Sequence, residues 1–166
     1  MTEPIKVVAD ILQTELGLTN GHVLLSYQQF KLPSDSGLYI ILNNISGKAI
    51  GNNNYFDSTL IGMQETQQVA MHEIVQIDLM SADNSARTRK IEVIAALMSK
   101  YSQQQQEINT VKIGRIPSEF SDTSSLEETQ FLYRFTMTIP IFSLYTKTKI
   151  IADYYDNFTQ EVYYNE

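Results

Sequence analysis

The chain has 166 residues, 43% of them hydrophobic, no cysteine and a formal net charge of -7. That size and composition suit one domain over 1–166 with a sizeable core, and lacking cysteine the chain has no disulfides, thiolate metal sites or cysteine nucleophiles. The acidic balance disfavours a general nucleic-acid binder, whose affinity comes from lysine and arginine neutralising phosphates, but suits a wall past which DNA slides without sticking.

No apolar run reaches the roughly 20 residues that span a bilayer. Met1 to Ala9 lacks the basic start and apolar core of a signal peptide, so synthesis in the cytoplasm with no membrane partner is expected. Thr2-Glu3-Pro4 reads as a helix start, with proline where its missing N–H does no harm. Ile5, Val8, Leu12 and Leu16 follow at spacings of three and four, and Gly17 and Asn20-Gly21 end the helix. Asp10, Gln13 and Glu15 supply no basic face for a membrane surface, so the apolar stripe is expected to pack on a sheet. Val23, Leu25 and Tyr27 alternate as one strand, and after a turn from Pro33 to Gly37 the run Leu38 to Ile45 reads as a second, more buried one. Ser46 to Gly62, rich in Gly and Asn and without periodicity, is expected to be a loop. Its residues are turn formers, or it is a partner-contact loop around Tyr55 and Phe56. The G-N-N-N run at Gly51 to Asn54 lacks the lysine and hydroxyl residue of a phosphate-binding loop.

Thr66 to Met80 places Val69, Met71, Val75, Ile77 and Leu79 on one parity and His72, Gln76 and Asp78 on the other, the pattern of a half-buried strand. Ser85 to Tyr101, with Ile91, Ile94, Ala95 and Met98 at helical spacing, is expected to be a second helix. Arg87, Arg89 and Lys90 fall in its first half, where the helix dipole disfavours positive charge. They form a solvated face with an Arg89–Glu92 pair, or a cluster that meets an acidic patch on a partner. The run Gln103 to Gln106 is expected to fray into a linker, Val111 to Ile116 to form a short strand closed by Pro117, and Ser118 to Glu128 to be an acidic connection.

The stretch Leu126 to Phe158 organises the rest. Phe131, Tyr133, Phe135, Met137, Ile139 and Ile141 alternate with Arg134, Thr136 and Thr138, so the odd face is assigned to the core. With Thr66 to Met80 it is expected to form the central antiparallel pair. Pro140 removes a ladder donor and marks an edge or bulge, beyond which the chain is expected to leave the sheet. Lys147, Lys149, Tyr154, Tyr155 and Phe158 are then the candidates for reaching a neighbouring subunit. They lie in an extended tyrosine-rich segment from about residue 143, which either covers the edge of the core or makes a subunit contact. The expected fold class is α+β: a mixed, mainly antiparallel sheet with two main helices packed on one face.

Chemistry is absent from the pattern. No nucleophile elbow, H-E-x-x-H helix or dinucleotide fingerprint occurs. Glu73 and Asp78 have opposite parity on one strand, and His72 and Asp78, which share a parity, stand roughly 20 Å apart. His22 and His72 are too far apart in sequence for a multi-histidine zinc site. Neither catalysis nor a cofactor or metal is expected.

The order of segments nevertheless forms a familiar pattern of strands and helices: a first helix, strands, V-Q-I-D-L-M-S at Val75 to Ser81, the helix A-R-T-R-K-I-E-V-I-A-A-L, then Y-R-F-T-M-T-I-P-I-F-S-L-Y-T-K-T-K and Y-Y-D-N-F. From Ile5 to Phe158 this resembles the tail-terminator, or neck-terminator, proteins of tailed bacteriophages. The resemblance implies a structural virion protein that forms a ring, commonly a hexamer, on the end of the tail tube. Its implied partners are other copies of itself, the tail tube protein, a head-completion or connector protein, and DNA that passes without specific binding. It implies a place in the neck, at the head–tail junction, and brings no catalytic residues. The Asn-rich segment and the tyrosine-rich end depart from many members. Other readings stay open: another tail or baseplate adaptor, or a small enzyme or single-strand nucleic-acid-binding domain, the latter with Tyr27, Phe30 and Tyr39 as stacking platforms.

Overall fold

The computed structural model describes residues 2–26, 35, 37–59, 62–127 and 130–151. Of the residues singled out above, Tyr27, Phe30, Pro33, Tyr154, Tyr155 and Phe158 lie outside them.

Helix α1, Pro4–Glu15, begins on the proline and buries Ile5, Val8, Ile11 and Leu12. It ends where Gly17 takes a left-handed φ of 62°, a conformation a side chain would strain. Leu18 N–H then reaches Gln13 O and Gly17 N–H reaches Thr14 O, which satisfies two of the last helical carbonyls. Strands β1 (Val23–Leu25), β2 (Tyr39–Thr59) and β3 (Gly62–Ser81) follow, then helices α2 (Ser85–Leu97) and α3 (Lys100–Asn109), and strands β4 (Val111–Ile113), β5 (Ser121–Asp122), β6 (Ser125–Glu127) and β7 (Gln130–Ile151).

The sheet order is β1-β2-β3-β7-β4, with β5 and β6 also pairing with β7. Only the β1–β2 pair is parallel among the described strands. This is an α+β fold, and β3 and β7 form its central antiparallel pair as expected, Val75 opposite Ile139 and Leu79 opposite Phe135. Ile40 and Leu42 of β2, Val75, Ile77 and Leu79 of β3, and Phe135, Met137, Ile139 and Ile141 of β7 share one face. They join the helical residues Val8, Ile11, Leu12, Val93, Ala96 and Leu97 in one core. The odd face of β7 is therefore the core face from Tyr133 through Ile141, while the side chain of Phe131 lies outside the description.

Four expectations are corrected. Ser46 to Gly62 is not a loop: β2 runs through it to Thr59 and pairs with β3 throughout. The ladder slips at Asn44/Ser46 and again at Ala49/Gly51. Each bulge reverses which parity faces which side, so no single alternation survives in the sequence. The chain does not leave the sheet at Pro140 either, because β7 stays paired with β3 to Ile151. Gly114 N–H donates to Pro140 O at 2.8 Å from the β4 side. The proline's missing donor thus faces that outer edge, and the β3 ladder loses nothing. Gly114 is fitted to this contact, since a Cβ there would lie 2.8 Å from Pro140 Cγ.

A third helix joins the two main ones in the helical layer. Ser99 caps a new helix, its side chain accepting from Ser102 N–H at 3.0 Å. The glutamine run is therefore helical, and Gln106 bonds both Ser102 Oγ and the backbone N–H of Ile113. The face of α2 is also different. Ala86, Val93, Ala96 and Leu97 are buried, while Ile91 and Met98 of the expected stripe are exposed. Small residues at 86 and 96 let the helix lie close to the sheet, and that closeness selects the face over side-chain size.

Candidate functional site

Beyond the helical layer the three middle strands continue as an arm. Every residue from Asn44 to Ser58 of β2 is exposed, and β7 is exposed from Tyr145 to Ile150. Between them β3 is half-buried from Gln64 to Ile74 except for Glu65, which is buried. The arm carries large apolar side chains in water: Ile45, Ile50, Tyr55, Phe56, Met63, Phe142, Tyr145 and Ile150 are all exposed. Ile45 and Ile50 are the residues at the two bulges.

Register divides the arm into two faces. Phe56, Glu65 and Lys149 form one row across the three strands on the face that continues the core side. Lys149 Nζ lies 2.7 Å from Glu65 Oε2, and Gln67 Nε2 donates to Glu65 Oε1 at 2.8 Å. The lysine bond chiefly, then that from Gln67, holds the Glu65 carboxyl below its usual value although burial opposes this. Lys147 stands opposite Gln67 on the same face. Tyr55 and Phe56 are consecutive strand residues and so point to opposite faces, which makes them parts of two surfaces and not of one contact loop. On the second face His72 lies against Phe142, ring centroids 4.9 Å apart, with Lys48 in the same row.

Where β4 stops, Met71, Phe142, Leu144 and Val111, with Ile50 and the end of α3, line an open cavity of about 440 Å³. Its exposed walls are mostly apolar, although Gln106, Glu107, Thr110, Lys112 and Ser143 also line it.

The helical cations divide. Arg89 donates to Leu16 O at 2.9 Å and to Glu92 at 2.8 Å, so it caps the end of α1 and makes the expected ion pair. Its place in the first turns of α2, unfavourable for the helix itself, is explained by that tertiary bond. Arg87 and Lys90 instead line a cavity of about 300 Å³ with Asp122, Ser124, Tyr133 and Phe135. Lys90 Nζ sits 4.4 Å from the centre of the Phe135 ring. Hydrogen bonds from Ser124 lower the Asp122 carboxyl, and Lys90 and Arg87 add to the effect. Lys147 and Lys149 are on the same strand as Phe135 but roughly 40 Å further along it, so the basic candidates form two groups.

On the helix-free face of the body, Asp78 is 4% exposed and its carboxylate accepts from Gln76 at 2.8 Å, Arg134 at 3.0 Å and Thr136 at 2.5 Å. This set is a neutralised structural pair with its acceptor sites filled, and alternation placed Asp78 on that face without revealing its partners. Tyr39 is buried, stacked on His22 at 4.6 Å, and donates its hydroxyl to Asp35. Burial first and then Asp35 push its phenol up to about 12. It is not available as a stacking platform for a base.

Among the described residues no group of three or more His, Cys, Asp or Glu could hold a metal ion, and no helix is long and apolar enough to cross a membrane. No family model matches the chain, and no curated protein matches it.

Proposed function

We propose that this chain is a structural virion subunit of the tail-terminator type, which forms a ring on the end of a phage tail tube and joins it to the head connector while DNA passes. The observation that carries the reading is the three-stranded arm, which leaves the helix-covered body with apolar side chains exposed on both faces. Exposed apolar surface of this kind marks an association site, and a ribbon without a core gains its own stability from whatever covers it. The segment order that resembles the terminator family supplies the identity of the assembly.

Two further features agree. The helix-free face presents Gln64, Thr66, Gln68, Gln76, Thr136, Thr138, Thr146 and Thr148, and its Asp78 is paired with Arg134. If that face lines the passage, DNA meets chiefly amides, hydroxyls and a neutralised pair, with Lys48 and Lys112 in the one row through His72 and Phe142. Arg87 and Lys90, with Lys147 on the arm, are then the cations that reach acidic patches on other subunits, the tube or the connector. The protein would be made in the bacterial cytoplasm and end in the neck of the virion.

Light scattering and electron microscopy of the purified protein mixed with tail tubes test this. Rings on tube ends and a halt to tube growth are expected. A strict monomer that never caps tubes overturns the reading.

A further inference from the structure

We infer that the two long edges of the arm pair with each other between copies, β2 from Gly51 to Thr59 of one subunit lying beside β7 from Leu144 to Ile151 of the next. This names the joint of the ring proposed above and rests on that reading.

The ladders give the direction of each backbone group. Gly114 N–H donates to Pro140 O, so the even residues of β7 turn their amides and carbonyls away from β3. The pairing with β4 ends at Val111 opposite Ser143. From there Leu144, Thr146, Thr148 and Ile150 direct their backbone groups to a side where, among the described residues, no strand lies. The odd residues of β3 face β7, so Gln64, Thr66, Gln68 and Ala70 face β2, opposite Asp57, Tyr55, Asn53 and Gly51. Asn52, Asn54, Phe56 and Ser58 are left pointing outward on the other side of the arm. Among the described residues the outer edge of β2 is used by β1 only near the body, where Ile40 N–H meets His22 O and Ser26 N–H meets Leu42 O.

The β7 edge suits the β2 edge better than it suits its own copy. The β2 register is free of bulges from Gly51 to Thr59, and β7 is regular from Leu144 to Ile151. The two stretches are therefore close in length, roughly 26 to 30 Å. Both run antiparallel to β3, hence parallel to each other and on opposite sides of the arm. A rotation carries one beside the other head to tail, the contact that closes rings. Pairing β7 with its own copy would oppose Lys147 and Lys149 to the same lysines, whereas Gly51 to Thr59 carries Asp57 as its one charge. With Gly51 beside Leu144, the exposed Ile50 just before it comes beside the neighbour's Ser143, at the edge of the apolar cavity that the neighbour's own Ile50, Met71, Phe142 and Leu144 line. The occupant of each edge is thus a second copy of this chain.

The chain has no cysteine, so introduced thiols report alone. With the pairing above, Asn53 lies beside Thr146 of the neighbour. An equimolar mixture of Asn53→Cys and Thr146→Cys proteins, incubated with tail tubes and treated with a short bis-maleimide, should give covalent dimers, and each variant alone none; separate chains are needed because Asn53 and Thr146 of one subunit both flank Gln68. Dimers from either single variant would show an edge pairing with itself and overturn the inference. Rings of wild-type size from the mixture without that cross-linked dimer would overturn the joint and leave the ring reading standing; a protein monomeric with and without tubes defeats both. As a second variant, Thr146→Pro removes an outward amide and keeps the β3 ladder, as Pro140 already does. Its unfolding midpoint should match wild type while assembly needs roughly tenfold more protein or fails. Assembly at wild-type concentrations would overturn the inference.

Discussion

The same strands pass through two environments. In the body, β3 from Val75 to Leu79 and β7 from Phe135 to Ile141 alternate between a fully buried face and a polar one. In the arm, the same strands, with β2, read as Q-E-T-Q-Q, T-K-T-K and N-N-N-Y-F, and their hydrogen-bonded pairing is just as continuous. The difference teaches that period two records cover and not strand identity. A ladder needs only backbone groups and tolerable side chains, whereas alternation is written where one face must be dry.

Unequal stability is the first consequence. Phe135→Ala should cost about 3 to 5 kcal/mol, because the ring is buried in the core and also supports Lys90. Phe56→Ala in the arm should stay within about 0.5 kcal/mol for the isolated subunit. Urea midpoints measure both, and equal losses would mean that the arm is packed as the body is. On the helix-free face, Asp78→Ala removes the acceptor of three side-chain bonds. A loss of about 1 to 3 kcal/mol is expected, with little of it Coulombic since the Arg134 side chain is 41% exposed. Thr136→Ala should follow in the same direction by about 1 kcal/mol, more than its place on the polar face suggests.

A smaller effect divides the basic cluster. Arg89→Ala loses the bond to Leu16 O and should cost about 0.5 to 1.5 kcal/mol. Arg87→Ala should leave the midpoint unchanged within about 0.5 kcal/mol and appear only in assembly. Thermal unfolding and tube capping, measured on both variants, separate the two roles; matching losses of stability would join them again.

The body was legible because its residues satisfy one requirement each. Val75, Ile77 and Leu79 against Phe135 to Ile141 required a two-stranded centre, and Pro4 with Gly17 bounded the first helix. The arm was not legible, since Ile45 and Ile50 sit at bulges that twice reverse the parity of β2, and exposure on both faces leaves no pattern to read. Pro140 alone suggests an exit from the sheet because the side its missing amide faces is set by β4 and Gly114, which lie well before it in sequence. The Arg89 contact with Leu16 O, and the choice of Val93 and Ala96 over Ile91 and Met98, likewise depend on how α1 and α2 meet. Of the candidate surface, the lysines of β7 were visible, but the edges that frame them were not.

The finest contrast between arm and body is in their response to acid. Glu65 is the buried carboxylate of the arm, held below its ordinary value of 4.5 by the bond from Lys149 and then by Gln67. A carboxyl whose folded-state value is depressed stabilises the fold above its unfolded value and loses that contribution as pH falls through the folded one. Acidification from about pH 6 to about pH 3 should therefore weaken the row Phe56–Glu65–Lys149. Amide exchange of residues 62–69 and 145–151 should then speed up. Body carboxylates such as Asp83 and Asp122 are lowered too, so acid loosens the body in its own right, and the wild type alone does not isolate the arm. Glu65→Gln does, because the amide keeps the side chain's shape but does not titrate. Its arm amides should exchange faster than wild type at neutral pH, the gap should close as pH falls, and the body amides of the two proteins should remain alike. If the body amides diverge together with those of the arm, the two regions open as one cooperative unit, and the division drawn between them fails.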